Sequence, residues 1–256
     1  MVTPQDYPLW HYLEAEDISD DGNWISYKKT YETADSLFVQ RRKTGRIYSF
    51  AHGSQGQFGS GNHFVCRTSD NVMHLLSLKK GSEHLLENVK SFELFSSYIL
   101  TMSDQKQSSS LALHTLEGRL IYTQNNVTEY AACPDKTKIA ISIREKDKNF
   151  VLLLNVSATG EQNTIAQDSG FPFQNLTWSD NGNALAFIHY GELESKLYYY
   201  QLNNKSTATF STADPAVFPQ TMNIEPSRLL KISTDNKKVF FRIRQRRELN
   251  VISKKK

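Results

Sequence analysis

A chain of 256 residues with 39% hydrophobic and 22% charged side chains, and only 12 Gly and 7 Pro, has a globular composition that excludes low-complexity and collagen-like classes. Thirty basic and 27 acidic residues leave +3, but seven of the cations lie between Arg242 and Lys256 beside a single Glu248, so the other 241 residues carry 23 − 26 = −3. A mildly acidic body with a basic tail lacks the positive face that nucleic-acid binding demands, and no run of 18 apolar residues is present to form a membrane-crossing helix.

In chain order, the first six residues lack the basic start and apolar run of a secretory signal. Residues 8–17 are expected to hold a few helical turns. From Ile18 to Tyr27 the chain reads as strand end, tight turn and strand start, the turn being Ser19-Asp20-Asp21-Gly22-Asn23. Leu37-Phe38-Val39 then runs to Lys43-Thr44-Gly45, and Arg46 to Phe50 follows as a fourth strand. A second unit opens with Phe58-Gly59-Ser60-Gly61 before Phe64-Val65-Cys66, and its Leu75 to Leu78 run ends at Lys79-Lys80-Gly81. Residues 82–88 are a second candidate for a short helix. The third unit turns at Ser96-Ser97, and its Leu111-Ala112-Leu113 run ends at Leu116-Glu117-Gly118. The fourth turns at Cys133-Pro134-Asp135-Lys136 before Ile139-Ala140-Ile141, and its Val151 to Leu154 run reaches Thr159-Gly160. Thr177-Trp178-Ser179-Asp180-Asn181-Gly182-Asn183 repeats the first turn nearly symbol for symbol, with Leu197-Tyr198-Tyr199-Tyr200 behind it. A sixth copy, Ile232-Ser233-Thr234-Asp235-Asn236, leads into Val239-Phe240-Phe241.

Aligned on Asp20, Ser60, Ser97, Asp135, Asp180 and Asp235, the copies are 40, 37, 38, 45 and 55 residues apart. Four short period-2 strands repeated every ~40 residues are the mark of β-propeller blades, and a sandwich or parallel β-helix fits the period less well. The expected fold is an all-β propeller: units over 9–57, 58–91, 92–129, 130–174 and 175–228, with a partial sixth over 229–256. A ring left incomplete exposes blade faces, so self-association through open edges is expected.

Asp6-Tyr7-Pro8-Leu9-Trp10, the Ser19–Glu32 stretch and Asp35-Ser36-Leu37-Phe38-Val39 leading to Gly45-Arg46-Ile47-Tyr48-Ser49-Phe50 together resemble one family. It is the prolyl oligopeptidase family of serine peptidases, in its large Bacteroidetes-type bacterial members, whose N-terminal propeller these segments match. Leu176–Ile188, Leu197–Leu202 and Ile232–Ile243 resemble its later blades. The resemblance implies a propeller that restricts access of short peptides to a C-terminal α/β-hydrolase domain with a Ser, Asp, His triad. It also implies a periplasmic or cell-envelope location. The chain departs from the full pattern: no G-x-S-x-G elbow occurs, and Gly59-Ser60-Gly61 has the wrong spacing. No catalytic residue is therefore assigned, and the chain alone is expected to be inactive. Upstream of Trp178 stands Asp168-Ser169-Gly170-Phe171-Pro172-Phe173, without the Glu-Glu pair of dipeptide-releasing members. The alternative is a stand-alone TolB- or WD40-like binding propeller that scaffolds protein partners; a downstream G-x-S-x-G discriminates between the two.

Other chemistries find no support. The seven histidines (11, 52, 63, 74, 84, 114, 189) show no metal-ligand spacing, and Cys66 and Cys133 belong to no CxxC pair and are expected as buried free thiols. Gly53, Gly56, Gly59 and Gly61 lack the Lys of a phosphate loop and precede a strand, not a helix. Neither metal nor cofactor is called for. In usual blade order the connections between second and third strands share one end: 28–36, 67–72, 104–110, 144–149 and 189–196, with Arg242 onward in the sixth unit. Glu32, Arg67, Arg144, Glu192, Glu194 and Arg242 are the candidate contacts there for a peptide or a hydrolase domain. The tail cations Arg244, Arg246, Arg247 and Lys254 to Lys256 read as a solvated hairpin tip or frayed end.

Overall fold

The computed structural model describes residues 10–31, 34–105, 108–191, 194–227 and 229–246. Every regular element among them is a β-strand. The chain divides into two compact units, Met1–Gln124 and Asn125–Lys256.

The first unit holds three four-stranded antiparallel sheets, each pairing its strands in sequence order. They are β1 to β4 (Tyr12–Ile18, Trp24–Thr30, Asp35–Arg41, Ile47–Ala51), β5 to β8 (Ser54–Gly59, His63–Arg67, Met73–Ser77, Glu83–Leu86) and β9 to β12 (Ser91–Phe95, Tyr98–Gln105, Ser108–Thr115, Leu120–Gln124). First strands neighbour one another, β1 beside β5 and β5 beside β9. The middle sheet is apolar on both faces because its inner strands alternate. Phe64, Cys66, Leu76 and Leu78 pack with Trp24, Leu37, Val39 and Phe50 of the first sheet, while Val65, Met73 and Leu75 pack with Ile99 and Leu116 of the third.

The second unit repeats the plan with β13 to β16 (Val127–Ala132, Lys138–Glu145, Lys148–Asn155, Gln162–Ser169) and β17 to β20 (Phe173–Trp178, Ala184–His189, Lys196–Gln201, Ser206–Ser211). Within β18, Leu185 and Phe187 face the preceding sheet, and Ala184, Ala186 and Ile188 face Ile224, Leu230 and Ile232. Phe187, fully buried, stacks on Tyr198 at 5.3 Å and meets Phe173 edge-on at 5.5 Å. Burying such a ring contributes roughly 2–3 kcal/mol. The remaining strands are β21 to β24 (Met222–Ile224, Lys231–Ile232, Val239–Phe240, Ile243–Gln245). β21 pairs with β24 and β22 with β23, so the second pairing nests inside the first. Successive four-stranded meanders with adjoining first strands and two apolar faces make an all-β fold of propeller blades.

The recurring turn has one chemistry. Asp21, Asp135, Asn181 and Asp235 each accept the amide two residues on, from Asn23, Thr137, Asn183 and Lys237. The hydroxyls of Ser19, Ser179 and Ser233 bond the same side chains. The following residue takes positive φ: Gly22 65°, Lys136 56°, Gly182 70° and Asn236 57°. It closes a type I turn back to the Ser or Cys carbonyl. The structural equivalents are thus Asp21 and Asn181, not Asp20 and Asp180. The repeat register shifts by one residue there, because the capping oxygen must stand one position before the left-handed residue.

Three other expectations are corrected. Strand β1 (Tyr12–Ile18) takes up most of the stretch 8–17 expected to be helical, of which residues 8 and 9 lie outside the described residues, and is held by cross-strand pairing from Tyr12↔Thr30 to Ile18↔Ile25. Glu83–Leu86 is strand β8, paired with β7. Ladder bonds to a strand already positioned outweigh the few tenths of a kcal/mol per residue of helix propensity. The connections 104–110 and 144–149 are far tighter than expected, since pairing continues to Gln105↔Ser108 and Glu145↔Lys148.

First strands also carry β-bulges, at Ala15/Asp17, Ser54/Gln57, Val127/Glu129 and Gln174/Thr177. Two are clamped by a carboxylate of the preceding first strand. Glu129 accepts the amides of Asn175 and Leu176, both at 2.8 Å, and Glu16 is bonded by the Gly56 amide. Burial raises both carboxyls despite those bonds.

Candidate functional site

Glu32 and Glu192 lie outside the described residues. Arg67 ends β6, where its Nη1 donates to Asn71 Oδ1 at 3.0 Å and to the Lys90 carbonyl at 2.8 Å. It ties the second-to-third connection to the chain that enters the next sheet, a structural task. Arg144 lies on β14 opposite Asn149, exposed, with its amide bonded to the Asn126 carbonyl. Glu194 is exposed and accepts the Ser211 hydroxyl at 2.8 Å. Arg242 is exposed, and its carbonyl accepts the Glu225 amide.

In the second unit a tighter group is built on Asp168 near the end of β16. Asp168 Oδ2 accepts Lys196 Nζ at 3.0 Å and the Tyr198 hydroxyl at 2.8 Å, and Oδ1 accepts the Ser169 amide at 2.8 Å. Burial works to raise this carboxyl, but the ammonium, amide and hydroxyl together win and hold it down at about 2. The same bond raises Lys196, while burial and then Asp168 raise Tyr198. The side chains of Asp168 and Lys196 are 18% and 32% exposed, so the pair is anchored yet reachable. Glu194 adds negative potential at Lys196 and Tyr198.

His189 stands beside this group, its Nδ1 3.9 Å from Asp168 Oδ2 and its Nε2 2.9 Å from the Ser169 carbonyl. A ring nitrogen facing a carbonyl carries the proton, so Nε2 is a donor here and cannot take a proton from a nucleophile. The arrangement fixes charge in place, with His189 Nε2 set as a donor.

A second group joins the last hairpin to the 190–195 segment. Arg244 donates to the Tyr190 hydroxyl at 2.6 Å, lies over that ring at 5.6 Å and pairs with Glu225 at 3.7 Å. Arg246 reaches the Met222 and Thr212 carbonyls, and Asn223 Nδ2 donates to the Gly191 carbonyl at 2.9 Å. Arg244 and Arg246 are thus stitched into the fold, against their reading as a solvated tip; Arg247 and Lys254 to Lys256 lie outside the described residues. Single-position reasoning missed Asp168, Lys196 and Tyr198 because each is ordinary alone. The only signal was strand parity, which puts Lys196 and Tyr198 on one face of β19.

No protein-family model matches the chain, and no curated protein matches it. Similar solved structures include the acylaminoacyl peptidase of Pyrococcus horikoshii, at 14% identity and TM-score 0.43, covering 92% of this chain and 43% of that one. The β-propeller domain of the trilobed protease from Pyrococcus furiosus matches at 14% identity and TM-score 0.43, with 92% and 80% covered. A putative 6-phosphogluconolactonase from Bacteroides uniformis matches at 11% identity and TM-score 0.41, with 90% and 83% covered. The chain spans less than half the length of the first of these peptidases. Likenesses of this size carry no functional argument.

Proposed function

We propose that the chain is the non-catalytic propeller of a prolyl oligopeptidase-like serine peptidase, limiting which peptides reach an α/β-hydrolase partner domain. The observation that carries this reading is the connector end of the fifth sheet. There Asp168 is bonded by Lys196 and Tyr198 and, in a separate group, Arg244 is bonded to Tyr190 and paired with Glu225, so a partner meets charge in fixed positions and little side-chain freedom is lost on docking. The resemblance of the opening segment and of the later blades supplies the identity of the partner.

A fluorophosphonate probe applied to the chain mixed with its hydrolase domain is expected to label the hydrolase serine and leave this chain unlabelled. Specific labelling of a serine in this chain overturns the reading. Calorimetry of the same pair is expected to show affinity falling at least tenfold in Asp168→Asn, with Lys43→Gln unchanged. Equal affinity in Asp168→Asn rejects this end as the docking surface.

A further inference from the structure

Between the first and second sheets of the first unit lies a cleft of about 350 Å³, lined by Asp21, Asn23, Trp24, Arg41, Arg46, Asn62, Leu78 and Lys79. It sits at the turn end of these sheets, away from the connections that carry the candidate contacts. Three of its cations converge without a carboxylate within 4 Å among the described residues: Arg41, Arg46 and Lys79. Three other cations of the unit are held by acceptors. Lys28 is paired to Asp35 at 2.6 Å, Arg42 bonds the Gly22 carbonyl, and Arg67 is doubly bonded.

Both guanidinium groups are exposed and each lies near an aromatic ring of the first sheet. Arg41 lies 6.0 Å from the Trp24 ring centre and Arg46 5.0 Å from that of Tyr48. Arg46 also reaches across to the next sheet's turn, where Gly81 with φ 74° leaves it space that a Cβ would occupy. Cation–ring contact uses the face of the guanidinium and leaves its N–H fork for a bidentate oxyanion. Asp21, the one acid in the wall, accepts from the Ser19 hydroxyl and from the amide and side chain of Asn23, and the Arg41 charge also acts on it. Asn23 and Asn62 add polar groups to the walls, and Trp24 and Leu78 give an apolar floor. The volume falls within the range of small-ligand sites.

We infer that this cleft binds a small organic oxyanion with two or more negative charges, either a di- or tricarboxylate or a phosphate ester. The inference is independent of the peptidase reading. A single carboxylate would leave two of the three cations unmatched, against one or none for a di- or trianion, so charge number discriminates.

The test is calorimetry of the full chain at constant ionic strength with citrate, inorganic phosphate and acetate, alongside NMR of the Trp24 indole N–H. Saturable one-site binding of citrate or phosphate is expected, with acetate at least tenfold weaker and the Trp24 resonance shifted. Citrate alone binding assigns the site to carboxylates; phosphate alone assigns it to phosphates. The double change Arg41→Gln with Arg46→Gln is expected to abolish binding, and Lys79→Gln, on an exposed turn, to weaken it several-fold with an unchanged circular dichroism spectrum. No saturable binding of either polyvalent anion overturns the inference. So does acetate binding as tightly as citrate, or undiminished affinity in the Lys79→Gln and double variants.

Discussion

Asp168 shows how a single side chain is tuned by its neighbours. Its carboxyl is held at about 2 against an ordinary 3.8. The folded state therefore binds this proton less readily than the unfolded chain. The stabilisation is complete above pH ~4 and is lost as pH falls from ~4 through ~2. The shift corresponds to about 2 kcal/mol. Asp168→Asn is expected to lower stability at pH 7 by about that amount and to flatten the acid limb of the stability curve. Urea denaturation at pH 2, 3, 4 and 7 checks both, and an unchanged acid limb in the variant rejects the assignment. None of this was legible at the residue level. Asp168 entered the sequence reading only as the place where a Glu-Glu pair was missing, whereas its partners Lys196 and Tyr198 lie 28 and 30 positions away.

At the scale of the element, the turn is where sequence and structure meet most closely. The S-x-[D/N]-G pattern was legible because its bonds are local, spanning two to five residues. What was not legible was which of two adjacent acids does the capping, since Asp20 and Asp21 differ only in register to Gly22. Gly182 adds a contact beyond its own turn: at φ 70°, a Cβ there would fall 2.6 Å from Cys133 Sγ of the preceding sheet. Gly182→Ala is expected to cost about 1–3 kcal/mol, read as a lower urea midpoint at constant slope. A variant as stable as the parent would show that the two turns separate freely. The helical turns expected in 8–17 and 82–88 gave way to β1 and β8 for the opposite reason. Glu14, Glu16 and Asp17 space themselves acceptably for a helix, but Trp24–Thr30 is folded back alongside by the turn and offers a whole ladder.

For the whole molecule, the prediction concerns what β1 leaves uncovered. Tyr12 is 85%, Leu13 62% and Ile18 62% exposed, and Trp10 just before the strand 59%. A first strand with this much apolar surface invites pairing with another chain. Sedimentation velocity is expected to show concentration-dependent self-association, reduced in Leu13→Lys; a monomer at all concentrations rejects it. Blade-like repetition was legible from sequence by itself, because period-2 burial and local turn chemistry are written within each forty-residue unit. Burial on both faces of the Phe64–Cys66 and Ala184–Ile188 runs came from the packing of neighbouring sheets. Which charged side chains meet was decided only in three dimensions. Asp168 with Lys196, Arg244 with Tyr190, and the gathering of Arg41, Arg46 and Lys79 around one cleft each depend on contacts between separate strands or sheets, and no local rule of spacing or propensity encodes the distance between them.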